Sequence, residues 1–276
     1  ATNVIDRPAM TVITPVSMDH EQFLGDTVGK IAFEKAGIIK QGVPCVVSRQ
    51  APEGMDVIEE QAARKRAPVL AYGQQWHVGP DRDRMSYQDD TGLLDLPRPN
   101  LPGAHQVMNA GAALTVLRQL GFGPAACEAA VTKAFWPARM QRLRSGPLVE
   151  MAPQAEVWLD GGHNPAAGEA MAEHLAGLPK RPTHLICGML NTKDIGGYLG
   201  PLASVADGLI AVSIPGERAT LPASETAQAA TKAGLAADTA QTVAEALGRI
   251  VAQTPHARVL ICGSLYLAGA VLRENG

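Results

Sequence analysis

From Ala155 onward, short apolar runs alternate with helical patterns, and no hairpin signal separates one run from the next. Ala155–Asp160, Thr183–Cys187, Gly208–Ser213 and Ala257–Cys262 read as strands. The helical patterns are Ala166–Leu175, Asp194–Leu202, Ser224–Ala233, Thr239–Val251 and a helix after Ser264. Repeated strand and helix with no hairpin signal between strands is the pattern of a mostly parallel α/β sheet covered on both faces. In such sheets ligands bind beyond the carboxyl ends of the strands. The loops there are 160–164, 188–194, 213–218 and 263–264.

The first half is less regular. Thr11–Ser17 reads as a short strand, limited by Pro15, and Asp26 or Thr27 can cap a helix that Gly37 stops. Val43–Ser48 is a buried strand, Asp56–Ala67 a polar-faced helix, and Val69–Leu70 opens another strand. Between Gly73 and Leu96 the mixed, Gly- and Asp-broken pieces predict antiparallel strands and loops at a sheet edge. Helical pattern returns at Gln106–Leu120 and Pro124–Phe135. The segment WPARMQRLRSGP then supplies a proline, three arginines and a Gly-Pro break, which predicts a hinge.

With 24 Lys and Arg against 27 Asp and Glu, the net charge of -3 excludes a surface adapted as a whole to nucleic acid, while leaving room for a local cationic pocket. Cys45, Cys127, Cys187 and Cys262 are far apart in apolar surroundings, so they read as buried free thiols and point to a reducing, cytoplasmic setting. No apolar run is long enough to span a membrane, and no membrane association is expected.

Three groups of residues could carry chemistry. Asp19, His20, Glu34 and Lys35 form the first, as a metal site or a solvent-facing turn. His20 and Lys35 would stand about 22 Å apart on an unbroken helix, so one site needs a break at Gly25. The second is LDGGHNP, residues 159–165, where a strand-end carboxylate, two glycines, His163 and Asn164 precede a helix-opening proline. It reads equally as a ligand-facing turn and as an Asx turn with a helix cap. Arg139, Arg142 and Arg144 form the third, as phosphate or carboxylate partners or as a solvated linker. Neither GxxxxGK[ST] nor GxGxxG occurs.

The pieces ATNVID, SMDHEQFLGDTVGKIAFEKAGIIKQGVP, LPGAHQVMNAGAAL, WPARMQRLRSGP, LDGGHNPAA, MLNTKD and GSLYLAG stand in this order from the first residues to the last. In them the chain resembles the folylpolyglutamate synthase and dihydrofolate synthase ligases of the Mur ligase superfamily. The resemblance implies an α/β chain in two parts. Residues 1–138 would be the latter part of a P-loop-type ATP-binding domain, and 139–276 a Rossmann-like, mostly parallel carboxy-terminal domain. It implies ATP-dependent amide formation, in which a folate or dihydropteroate carboxylate becomes an acyl phosphate and is attacked by the amine of L-glutamate. ATP and magnesium at two sites are the implied cofactors, and a monomer is implied for the full-length protein.

By the same resemblance His20 is a magnesium ligand, and Lys35, as a carbamate, helps to hold the second magnesium. Asn109, near His105 and Gln106, would contact adenine, and Arg139 would reach the ATP phosphates on domain closure. Asp160 and His163 would lie on the ribose and phosphate side with Asn164 beside them, and Lys193 and Asp194 would support the glutamate or closure region. His20, Lys35 and Arg139 are thus the implied catalytic set. Ala138 stands where the family usually has Gly, and Gly162 where it often has Ala. The family's phosphate loop, folate-binding loop and acidic magnesium ligand all precede ATN, so the chain is expected to be an N-terminally truncated fragment, inactive alone. A Mur-type ligase acting on a cell-wall precursor, or a non-catalytic nucleotide-binding module, are the alternatives.

Overall fold

The computed structural model describes residues 3–19 and 21–275. The chain forms two compact units, Ala1–Phe135 and Trp136–Gly276.

The first unit opens with β1 (Thr11–Ile13), α1 (Glu21–Leu24) and α2 (Val28–Ala36). Thr27 caps α2 by accepting from the Lys30 N–H, and Gly25 before it takes a φ of 108° that side chains avoid. Next come β2 (Cys45–Val47), α3 (Pro52–Arg64) and β3 (Val69–Ala71), followed by β4 (Trp76–Asp81), β5 (Arg84–Asp89) and β6 (Gly92–Pro97). Helices α4 (Ala104–Gln119) and α5 (Pro124–Lys133) complete the unit. Strands β1, β2 and β3 pair in parallel, in that order. Alternation sends Cys45 and Val47 toward Ile31, Ala32 and Ile58 of α2 and α3, and Val46 into a second core with Trp76, Tyr87 and Leu114. The antiparallel strands expected at a sheet edge instead form a separate three-stranded meander. It has its own buried face of Trp76, Val78, Met85, Tyr87, Leu94 and Leu96, and that face packs on α4.

The second unit contains β7 (Gln141–Arg142), α6 (Pro147–Met151), β8 (Glu156–Leu159), α7 (Pro165–Ala176), β9 (Thr183–Cys187) and α8 (Ile195–Leu202). It continues with β10 (Gly208–Ala211), α9 (Ala223–Lys232), β11 (Ala237–Thr239), α10 (Val243–Gln253), β12 (Arg258–Cys262) and α11 (Leu265–Asn275). One sheet runs β11-β10-β9-β12-β8-β7, parallel throughout except for β7. Val157, Leu159, Ile186, Val259 and Ile261 face α6, α10 and α11, while Leu185, Cys187, Leu209, Leu260 and Cys262 face α7, α8 and α9. All four cysteines are buried and unpaired.

Two expectations need correction. The hinge segment is not a free linker: Gln141 and Arg142 pair antiparallel with β8, and Arg142 lies over the Trp158 ring near Glu156. The helix expected from Thr239 begins only after its cap, Thr242, because Ala237–Thr239 is a polar edge strand on β10.

Glu156 sits between Arg258, 3.1 Å away and almost fully buried, and the Trp158 N–H. Burial pushes its carboxyl up, but the hydrogen bonds from Arg258 and Trp158 and the charges of Arg142 and Arg181 outweigh it and hold it below its ordinary 4.5. A carboxyl lowered by folding stabilises above its unfolded value, and that stabilisation is lost as pH falls through the lower folded one. Glu156→Gln should therefore cost about 1–3 kcal/mol at pH 7, a deficit that narrows below pH 4.5. Urea unfolding of both proteins across that range checks it, and a deficit independent of pH would refute the charged pairing.

Candidate functional site

In the second unit, the loops expected to face a ligand lie beyond the carboxyl ends of β8, β9 and β12. Asp160, directly after β8, is buried, with both carboxylate oxygens engaged by backbone. Oδ1 accepts from Gly162 N–H at 2.6 Å and Oδ2 from Met140 N–H at 2.7 Å. The carboxylate thus ties the 160–164 turn to the loop carrying Arg139, and Gly161 N–H donates to the Ala138 carbonyl at 3.0 Å to close the same junction.

Arg139 is half-buried, and its Nη1 donates to the Ala138 carbonyl at 3.2 Å. A Cβ on Gly161 would stand 3.4 Å from that nitrogen, which places the guanidinium against the glycine turn. Its neighbours Ala138 and Met140 have φ of 54° and 41°, a left-handed conformation that costs non-glycine residues. At Ala138 three effects oppose one another: strain of about 1–2 kcal/mol, a buried methyl worth about 0.8, and about 0.4–1 from the freer unfolded chain of a glycine. Ala138→Gly should therefore leave the thermal midpoint within about 3 °C. A calorimetric scan checks it, and a large shift either way would show that the balance is wrong.

His163 Nδ1 lies 2.9 Å from the Gly161 carbonyl, which can only accept, so Nδ1 carries the proton. Asn164 caps α7 through Ala167 N–H at 2.9 Å, and Asp194 caps α8 through Gly197 N–H at 2.9 Å. A Cβ on Gly197 would come 2.8 Å from Pro165, so the two capped helix starts lie side by side. Lys193 sits half-buried just before α8, its N–H donating to Leu190. At Gly162 an alanine would press within 2.9 Å of Ala167 and of Asp160, so here the turn fits glycine.

In the first unit the expected residues stand apart. His20 lies outside the described residues. Lys35 is exposed in the last turn of α2. Among the described residues, no three His, Cys, Asp or Glu side chains could hold a metal ion. Asn109, on the exposed side of α4, donates to Gln106 at 3.1 Å, and Gln106 in turn meets the His105 ring at 2.9 Å.

Sequence reasoning missed a cavity of about 500 Å³ just beyond the carboxyl ends of β1, β2 and β3, a size typical of ligand pockets. Val16, Arg49, Tyr72, Val78, His105 and Met108 line it, and neither Lys35 nor Asn109 does. Arg49 donates to the Tyr72 hydroxyl at 2.9 Å and lies 5.0 Å from that ring's centre. The only advance signal was its position, directly after buried strands.

The parallel sheet carries an arginine loop and a glycine turn at its carboxyl edge, and residues 138–265 match the family described as "Mur ligase, glutamate ligase domain". The second unit carries a Mur ligase carboxy-terminal domain. Within that superfamily, the chain is homologous to the folylpolyglutamate and dihydrofolate synthases. It is 30% identical over 283 residues to folylpolyglutamate synthase of Lacticaseibacillus casei, covering 98% of this chain and 63% of that one. The chain is also similar to a structure titled "E.coli FolC in complex with DHPP and ADP", with TM-score 0.85 and 28% identity over 99% of this chain and 62% of that one. To the folylpolyglutamate synthase of Mycobacterium tuberculosis complexed with ADP, the TM-score is 0.84 and the identity 29%, covering 99% and 64%. The chain thus spans somewhat under two thirds of the length of these relatives. No helix among the described residues is long and apolar enough to cross a membrane.

Proposed function

We propose that this chain belongs to an ATP-dependent carbon–nitrogen ligase that joins L-glutamate to folates, to dihydropteroate, or to both. The observation that carries the reading is the joined loop of Arg139 and Asp160–Asn164 at the carboxyl edge of the β8–β12 pair, in a chain homologous end to end to such ligases.

In this reading the pterin carboxylate attacks the γ-phosphorus of ATP and ADP leaves, giving an acyl phosphate. The glutamate amine then attacks the acyl carbon, phosphate leaves, and the amine's proton passes to solvent. Arg139, a planar cationic donor, binds the phosphoryl oxygens as charge builds on them. Asp160 and His163, held in the turn after β8, lie on the ribose and phosphate side, with Asn164 beside them. Asn164 and Asp194 keep the starts of α7 and α8 in place, with Lys193 beside them as a support for the glutamate.

The cavity bounded by Tyr72, Met108 and His105 has the apolar faces that adenine needs, and Asn109 stands one turn further along the same helix. His20 and a carbamate of Lys35 are the protein ligands this reading assigns to magnesium, which would shield phosphate charge when bound. Residues 1–138 then belong to the ATP-binding domain and 139–276 to the glutamate-side domain. The four unpaired cysteines agree with a reducing, cytoplasmic compartment, and a monomer acting on small molecules is the proposed state.

The test is ADP release by the intact protein with ATP, magnesium, glutamate and a reduced folate or dihydropteroate, each omitted in turn. Release that needs every component is expected. Steady turnover without any pterin, or with a cell-wall precursor in its place, would overturn the assignment.

A further inference from the structure

Arg139 stands between two residues in left-handed backbone, and neither is glycine. Strain of this kind persists only where the surroundings over-determine it. Here the surroundings are explicit. The Ala138 methyl is buried in the core on one face of the sheet and Met140 in the core on the other. Ala138 N–H donates to Gln141 Oε1 at 2.9 Å, its carbonyl accepts from Gly161, and Met140 N–H donates to Asp160. With its neighbours driven into opposite cores and their amides held, Arg139 has few backbone conformations left.

We propose that Gln141 and Asp160 are positioning residues: by holding the Ala138 and Met140 amides they fix the Arg139 loop in its phosphate-binding conformation before nucleotide arrives. The inference rests on the reading that Arg139 contacts the transferring phosphate. A donor oriented in advance needs no reorganisation as charge develops, so its loss is felt in turnover more than in binding. Gln141 was not singled out by its sequence; its backbone pairs with Leu159 of β8, and its side-chain oxygen holds the Ala138 amide.

The experiment is steady-state kinetics on the intact ligase for Gln141→Ala, Gln141→Glu, Arg139→Ala and the double variant Gln141→Ala/Arg139→Ala. Gln141→Glu keeps an oxygen acceptor for Ala138 N–H. Losing the amide's acceptor should lower kcat by about five- to tenfold with KM for ATP nearly unchanged. Gln141→Glu should restore kcat to within about threefold, and Gln141→Ala should add less than about twofold once Arg139 is already gone. A merely structural Gln141 would lower kcat by the same factor with or without Arg139, and that result overturns the proposal. Full turnover in a folded Gln141→Ala also overturns it while leaving the role of Arg139 intact. An Arg139→Ala enzyme with unchanged turnover instead removes the reading beneath it. If Gln141→Ala loses its cooperative melting transition, Gln141→Met, similar in length and without the acceptor, carries the same comparison.

Discussion

Replacing Arg139 by alanine should lower turnover of the intact protein in the proposed ligation by roughly 30- to 1000-fold while nucleotide affinity hardly moves. A cation on a charge-developing phosphate contributes on the order of 2–4 kcal/mol, and a contact that strengthens in the transition state is lost from kcat. The fold should tolerate the change. Arg139 is half-exposed, and its hydrogen bond goes to its own neighbour's carbonyl, so truncation leaves no distant partner exposed. Steady-state kinetics beside calorimetric nucleotide binding measures both quantities. Unchanged turnover would return Arg139 to the role of a solvated loop residue.

Gly168→Ala should be a severely damaging single-methyl change in the second unit. A Cβ there would lie 2.3 Å from the Tyr198 carbonyl oxygen and 3.1 Å from its carbon. Those atoms are backbone, so no side chain can rotate away and α7 must separate from α8. Alanine gains roughly 0.5–1 kcal/mol of helix propensity over glycine, but overpacking of about 3 kcal/mol or more exceeds it. The expected result is a thermal midpoint lower by about 4–12 °C, with reduced activity because the capped starts of both helices shift with the site. Gly200→Ala in α8 is the control, since nothing lies within 4 Å of a Cβ there. Equal midpoints for the two variants would show that α7 and α8 are not in tight contact.

The parts of the fold that were legible are those where burial writes itself into the sequence. Strands β8, β9 and β12 are buried along much or all of their length and show as continuous apolar runs, which no solvent-facing segment would keep. Strand β11 was hidden because it lies at the sheet edge, with Asp238 and Thr239 exposed, and β7 because two polar residues carry no period. At the site, the identities of Arg139, Asp160, His163 and Asn164 were visible, but the work of their atoms was not. A carboxylate at a strand end serves a ligand or a backbone amide with the same letters, and Asp160 holds two amides. The left-handed turns flanking Arg139 gave no sign, since alanine and methionine occupy them in place of glycine. Residues lining the first unit's cavity run from Pro15 to Met108, and only tertiary structure gathers them.

Strand β12 lies inside its sheet, between β9 and β8, yet it follows every other strand of that sheet in the sequence. Until residues 258–262 leave the ribosome, β8 and β9 each have an unmatched inner edge, and neither half of the sheet can close on the other. Nascent chains in that state offer open strand edges to one another, the condition in which misassembly competes with folding. Asn275 follows from α11, taking the Leu148 N–H and giving its amide hydrogen to Ser145, so the far end of the chain also fastens the beginning of its own unit. Yield in the cell should therefore depend on how long β8 and β9 wait for residues 258–262 to pair between them.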